Sequence, residues 1–401
     1  SGVADGRIAD AIAVAAQEVC AGKFDHQFAV DVFQTGSGTS TNMNANEVIA
    51  NRAIELLGGK RGERSLVHPN DHVNLGMSSN DAIPTATHIA AMLEMNERLL
   101  PELKALQQSF ESKSTEFWEV IKTGRTHLQD ATPIRLGQEF LGYAGQIERA
   151  CERTKHSIER LSELALGGTA VGTGINTRKD FAEKVLQQIS KETGLKLRES
   201  SNHFQAQSTL DDVVDASGAM KTIAVSLMKI ANDIRWLGSG PRAGIGELAL
   251  PEVQPGSSIM PGKVNPVIAE SVTMVAAQVI GNDATITIAG QSGNFELNVM
   301  QPVAAFNLIQ SIELLANAAE NFRKQCIDGL KATNRGPEMV EKGLALCTAL
   351  APVIGYDKAA AISHKASETG QTIREVALTD TTLGEAELGR ILDPAKMVDP
   401  E

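Results

Sequence analysis

PGSSIMPGKVNPVIAESVTMVAAQVIGND, residues 255–283, decides the fold. Between Val264 and Asp283 its only charged residue is Glu270. A helix that is apolar on every side must be buried, either inside a bundle or between subunits. The loop ahead of it carries Gly256, Gly262 and paired serines, which imply mobility. Asn265 and Pro266 suit an N-cap followed by a first helical position. The helix N-terminus, Lys263 and Asn265 together would form a carboxylate-binding site. Glu270 lies four residues past Pro266 on the same face. A lone carboxylate on an apolar helix needs a partner, and an imidazole such as His127 would serve. The plainer reading is a helix-start carboxylate favoured by the dipole.

Helical periodicity continues on either side. Val213, Ala216, Met220, Ile223, Leu227, Ile230, Ile234 and Leu237 recur at alternating spacings of three and four, a heptad seam. A second seam runs through Ile147, Cys151, Thr154, Ile158, Leu161 and Ala165. Its helix could start at Pro133 and stop at Gly167-Gly168, a length of about 50 Å. Further helical patterns cover roughly 81–115 and 297–330, and strand alternation is almost absent. Long helices with short connections imply an up-down bundle. The expected domains are 1–77, rich in turn signals; 78–335, the bundle; and 336–401, short helices broken by Gly and Pro.

The 401 residues are 42% apolar, 21% charged and only 4% aromatic. That composition suits a helical core of small aliphatic side chains better than an aromatic-rich sandwich. A net charge of −12 argues against nucleic acid or an anionic membrane as partner. Cys20, Cys151, Cys326 and Cys347 are dispersed and read as free thiols in a reducing compartment. No signal peptide and no apolar run of spanning length is visible. The chain opens in the middle of an amphipathic pattern without an initiator Met, so a fragment that has lost its start, and any targeting signal with it, is expected.

Four polar islands interrupt the helical background: Thr35–Asn44 (TGSGTSTNMN), His68–Asp81 (HPNDHVNLGMSSND), Gly124–Pro133 (GRTHLQDATP) and Pro255–Glu270. Any one alone reads as a capped turn. All four together read as a site.

The stretch GSSIMPGKVNP resembles the signature of the fumarase/aspartase superfamily, and the other islands follow in that superfamily's order and spacing across essentially the whole chain. GSGTSTNMN, SSND, GRTHLQDATP and SGNFELNV (292–299) look like class II fumarase. Aspartate ammonia-lyases tend to carry Ala for Ser37, Thr for Ser79 and Gln for His127. The resemblance implies an all-α fold, with a central long-helix bundle flanked by two smaller, mostly helical domains. It also implies a hydro-lyase of the tricarboxylic acid cycle that adds water across fumarate to give L-malate without cofactor or metal. Ser257 would be the base that removes a proton next to a carboxylate, through an aci-carboxylate intermediate. Lys263 and Asn265 would bind that carboxylate. Ser37, Thr39, Ser78, Ser79, Asn80 and Thr126 would contact the substrate. His127 and Glu270 would form a relay for the water and the leaving hydroxyl, and His68, Asn70 and Asp71 a secondary anion site. The resemblance further implies a homotetramer whose sites draw on three subunits, and a cytoplasmic location unless the lost start was a mitochondrial signal.

The segment NLGMSSND departs from the fumarase pattern NKSQSSND, and the secondary site's usual basic residue aligns near Ser65. The rivals are an aspartate ammonia-lyase and a non-catalytic helical scaffold. His127 and the paired serines favour fumarase over the first, and the intact islands disfavour the second. The glycine run 167–174 superficially suggests a dinucleotide loop, but as no strand precedes it in the sequence pattern a turn between helices is expected. The eight histidines show no HExxH spacing.

Overall fold

The computed structural model describes residues 5–399, and they are predominantly helical. In chain order come α1 (Gly6–Cys20), α2 (Thr39–Leu56) and α3 (Ser79–Glu94), which continues through a π-helical turn at Met95–Leu99 into α4 (Leu100–Glu116). A hairpin follows, β1 (Ile121–Thr126) and β2 (Gln129–Arg135). Then come α5 (Leu136–Leu161), α6 (Phe181–Thr193), α7 (His203–Ser208), α8 (Asp211–Leu237), α9 (Val267–Gly290) and α10 (Gln301–Gln325). The chain closes with α11 (Arg335–Val340), α12 (Ala351–Ile354), α13 (Tyr356–Thr369), α14 (Ile373–Asp380) and α15 (Glu385–Ile391). The fold is all-α, as expected.

Every residue of the first heptad seam is buried along α8. Asp211 and Asp212 in its first turn and Arg235 in its last complement the helix dipole. Each fully buried Leu, Ile or Met contributes roughly 1.5–3 kcal/mol, so Leu227→Ala alone would cost about 2–5 kcal/mol. The second seam is buried at Ile147, Cys151, Thr154 and Leu161, but Ser157 takes the buried place next to a half-buried Ile158.

The helix does not begin at Pro133. Residues 121–135 form the antiparallel hairpin instead, with Pro133 opposite Thr123 and a register shift between Thr123 and Arg125. Ile121, Thr123, Thr126, Thr132 and Ile134 are β-branched, and this local preference outweighs proline's fitness for a helix start. α5 begins only at Leu136.

Two compact units divide the chain. One comprises Ser1–Pro101, Glu152–Ala224 and Ala277–Ala316, the other Glu102–Cys151, Val225–Ala276 and Asn317–Glu401. The boundaries fall inside α4, α5, α8, α9 and α10. In the first unit, Asn282 donates to Ser311 Oγ and Gln310 Oε1 (3.0 Å each), and Asp283 accepts from Ser217 (2.8 Å) and Lys221 (2.6 Å). In the second, five aromatic residues gather: Phe110, Phe117, Phe140, Tyr143 and Phe322, with Phe117 and Phe140 edge-to-face at 5.1 Å.

α9 is not buried on every side. Met274 (66%), Ile280 (36%) and Ile288 (54%) are exposed within the single chain, while Val272, Ala276, Val279 and Ile286 are buried. By length and composition α9 would suffice to cross a bilayer, which the sequence reading did not anticipate. The buried Asn282 and Asp283, each with polar partners, make it a packed helix with one bare apolar stripe.

Candidate active site

The first unit holds Ser37, Thr39 and the serine pair at the starts of α2 and α3. Ser37 is buried, and its Oγ lies 2.7 Å from Thr39 Oγ1. The Val299 backbone can approach closely there because position 36 is glycine: a Cβ would sit 1.8 Å from the Val299 carbonyl oxygen. Ser78 caps α3 in a capping box with Asp81, so Ser79 and Asn80 occupy the first turn. Asn42 donates to Ser79 Oγ at 2.9 Å, and Asn42 and Asn46 both donate to Asn74 Oδ1. Asp81, fully buried, accepts N–H bonds from Ser78 (2.8 Å), Gly167 (3.1 Å) and Thr169 (2.9 Å). Asn80 Nδ2 donates to the Ala170 carbonyl oxygen at 2.8 Å.

Sequence reasoning missed Asn42, Asn74 and Asp81 as supports of this group. It read 167–174 as a plain turn, yet that turn supplies N–H donors to Asp81. The one available signal was the capping-box spacing of Ser78 and Asp81.

His68, Asn70 and Asp71 form a tight turn. His68 Nδ1 accepts N–H bonds from Asn70 and Asp71 at 3.2 Å, and its own N–H donates to His72 Nδ1 at 2.9 Å.

The second unit holds the loop of Ser257 and the hairpin of His127. Ser257 Oγ accepts N–H bonds from Met260 (2.9 Å) and Ile259 (3.2 Å). The loop is largely exposed, with Ile259 at 84%. α9 starts at Val267, one residue later than the Asn265–Pro266 pair implies. Asn265 therefore does not cap the helix with its side chain; its Nδ2 donates to the Gly256 carbonyl oxygen at 2.6 Å. Lys263 is exposed and Glu270 is half-buried in the first turn of α9.

Thr126 and His127 stand exposed at the hairpin tip. Among the described residues, no hydrogen bond joins His127 to Glu270. The hairpin root is clamped by buried charge: Arg125 makes a two-pronged contact with Glu247 (2.7 and 3.1 Å), and Lys122 reaches Glu139 (2.7 Å) and Glu247 (3.1 Å). Burial pushes the Glu139 carboxyl up, against the pull of Lys122. Lys122 and Glu247 are 1% and 2% exposed, so this clamp is costly to break.

The first group offers hydroxyls and amides; the second offers hydroxyls, an amide, an imidazole, an ammonium and a carboxylate. Such sets suit binding of a small carboxylate and proton transfer beside it.

Comparisons with known proteins identify the family. A family model described as "Lyase" matches residues 1–281, and another described as "Fumarase C C-terminus" matches 346–399. The mitochondrial fumarate hydratase of Dictyostelium discoideum is 54% identical over 396 residues, covering 98% of this chain and 82% of that protein. The class II fumarate hydratase of Bordetella parapertussis is 52% identical over 397 residues, covering 99% and 86%. The crystal structure of class II fumarase from Schistosoma mansoni superposes with a TM-score of 0.96 at 41% identity, covering 99% of this chain and 86% of that one. The chain belongs to the class II fumarate hydratase family of lyases.

Proposed function

We propose that the chain catalyses the reversible trans addition of water to fumarate, giving L-malate. In the dehydrating direction, the Ser257 alkoxide takes a proton from the methylene carbon of malate. The electron pair passes into the adjacent carboxylate, giving an aci-carboxylate dianion. Lys263 and Asn265 balance that charge. The C–O bond at the neighbouring carbon then breaks, and a proton from the His127–Glu270 pair lets the hydroxyl leave as water, with the double bond formed. Ser37, Thr39, Ser78, Ser79, Asn80 and Thr126 hold the substrate, and His68, Asn70 and Asp71 serve as a secondary anion site.

The observation that carries this reading is the pair of N–H groups aimed at Ser257 Oγ. A serine is a weak base until its alkoxide is stabilised, and two preorganised backbone donors supply that stabilisation.

The working form in this reading is a homotetramer with sites shared by three subunits. Its support is the bare apolar stripe of α9, together with the exposure of Thr126, His127 and Lys263 in a single chain. The division into 1–77, 78–335 and 336–401 belongs to the same reading. It is supported by separate apolar clusters at each end: Ala15, Ala53, Ile54 and Val67 in the first part, and Leu350, Ile362, Val376 and Leu392 in the last. We place the protein in the cytoplasm, noting relatives of both mitochondrial and bacterial origin.

The test is absorbance of the fumarate double bond, with L-malate and L-aspartate offered separately and Ser257→Ala as control. Fumarate from malate alone, lost in the variant, is expected. Fumarate from aspartate alone would make the chain an ammonia-lyase, and none from either would leave a non-catalytic scaffold.

A further inference from the structure

The β1–β2 hairpin is joined by two residues only, since Thr126 pairs with Gln129. Both connecting residues lie in the left-handed region: His127 at φ 56° and Leu128 at φ 60°. A two-residue turn with positive φ at both positions is the mirror turn whose twist matches paired strands, and it selects Asn-Gly or similar. Histidine is tolerated there, whereas leucine is out of place. Within the single chain Leu128 finds little packing that would offset this, because its side chain is 64% exposed. Strained conformers persist where the surroundings over-determine them. Here the surroundings are the ladder register and the clamp of Lys122 and Arg125 on the buried Glu247.

The ring of His127 has no hydrogen-bond partner among the described residues. An imidazole that transfers protons is ordinarily aimed by a second group on its other nitrogen. The direction of the His127 Cα–Cβ bond is set by the left-handed pair, so the backbone at 127–128 decides where the ring can meet the carboxylate of Glu270.

We infer that Leu128 is a positioning residue: its left-handed backbone, not its side chain, aims His127 into the site. This inference rests on the role given to His127 above. It predicts that substitutions at 128 rank by tolerance of positive φ and not by likeness to leucine.

The experiment compares Leu128→Gly, Leu128→Asn, Leu128→Ala and Leu128→Ile, with His127→Asn alongside, in the malate assay. Helical circular dichroism is recorded first, and an exposed turn residue leaves it unchanged. Gly and Asn tolerate the left-handed region and keep kcat within about twofold. Isoleucine has leucine's volume and apolarity but is β-branched and resists positive φ, so Leu128→Ile lowers kcat about fivefold or more. It does so with KM little changed and with the pH profile of kcat displaced. Leu128→Ala falls between them, so the ranking stands even if the Ile variant folds poorly. An active Ile variant beside impaired Gly and Asn variants would show a side-chain contact and overturn the inference. Full activity of His127→Asn would instead remove the role of His127 itself.

Discussion

The side-chain nitrogen of Asn265 donates to the carbonyl oxygen of Gly256 at 2.6 Å, nine residues back along the chain. This bond fastens the foot of the serine loop to the start of α9. The fit leaves no room for a side chain at 256: a Cβ would lie 1.9 Å from the Lys263 carbonyl oxygen and 3.2 Å from the Asn265 nitrogen.

Gly256→Ala therefore forces the loop away from α9 and breaks the Asn265 bond. Displacing Ser257, Lys263 and Asn265 from one another is expected to lower kcat/KM by about a hundredfold, the order seen when positioning slips by an ångström. The melting temperature stays near wild type, because the loop is mostly exposed. Turnover and a thermal melt check this. Undiminished turnover would mean that the Gly256–Asn265 contact plays no part in the reaction.

Ser257→Ala removes the proposed base and leaves the Ile259 and Met260 N–H groups without their acceptor. The expected loss in kcat is roughly 10²–10⁴, the usual worth of one positioned proton-transfer group. A structural role alone predicts a lower melting temperature with kcat intact, so the two measurements separate the readings.

The long helices were legible because burial repeats at their own period. Every member of the α8 seam from Val213 to Leu237 is buried. The hairpin was not legible, because Thr132-Pro133 is also a sound helix start and only the β-branched residues of 121–135 argue otherwise. On α9, composition could not say which apolar face the chain itself covers. Residue roles were legible through a resemblance, and their supports were not. Asp81 looks like an ordinary helix-start acid, and only the fold brings Gly167 and Thr169 to its carboxylate.

Asp81→Asn tests that support. A buried carboxylate holding three N–H groups is replaced by an amide with one acceptor oxygen, leaving donors unsatisfied at about 1–3 kcal/mol. The urea midpoint should fall accordingly. KM for malate should rise, because Ser79 and Asn80 sit on the turn that Asp81 anchors. A lower midpoint with KM unchanged would separate this anchor from substrate binding.

Ile288→Asp places a charge in the bare stripe of α9, where Ile288 is 54% exposed in the single chain. If a second copy covers that stripe, the buried unpaired charge opposes assembly. Sedimentation should then show a shift from tetramer to smaller species, with activity lost in step. An unchanged tetramer would mean that this stripe lies outside the interface.

His88 gives the stability curve a definite sign. Its Nδ1 lies 3.1 Å from the Leu161 carbonyl oxygen and 3.3 Å from that of Glu163. Both are acceptors, so Nδ1 carries the proton of the neutral ring. Burial holds the pKa below the ordinary 6.5, opposed by the charge of Asp212. Below pH 6.5 the unfolded chain binds a proton there that the folded chain does not. Stability from this group is thus complete above 6.5 and is lost as pH falls from 6.5 toward the folded value. The slope reaches at most about 1.4 kcal/mol per pH unit. His88→Gln keeps an N–H donor for the two carbonyls and cannot titrate. Urea midpoints between pH 7.5 and 5.5 should fall more steeply for the wild type than for the variant. Parallel curves would mean that His88 takes up its proton in the folded state after all.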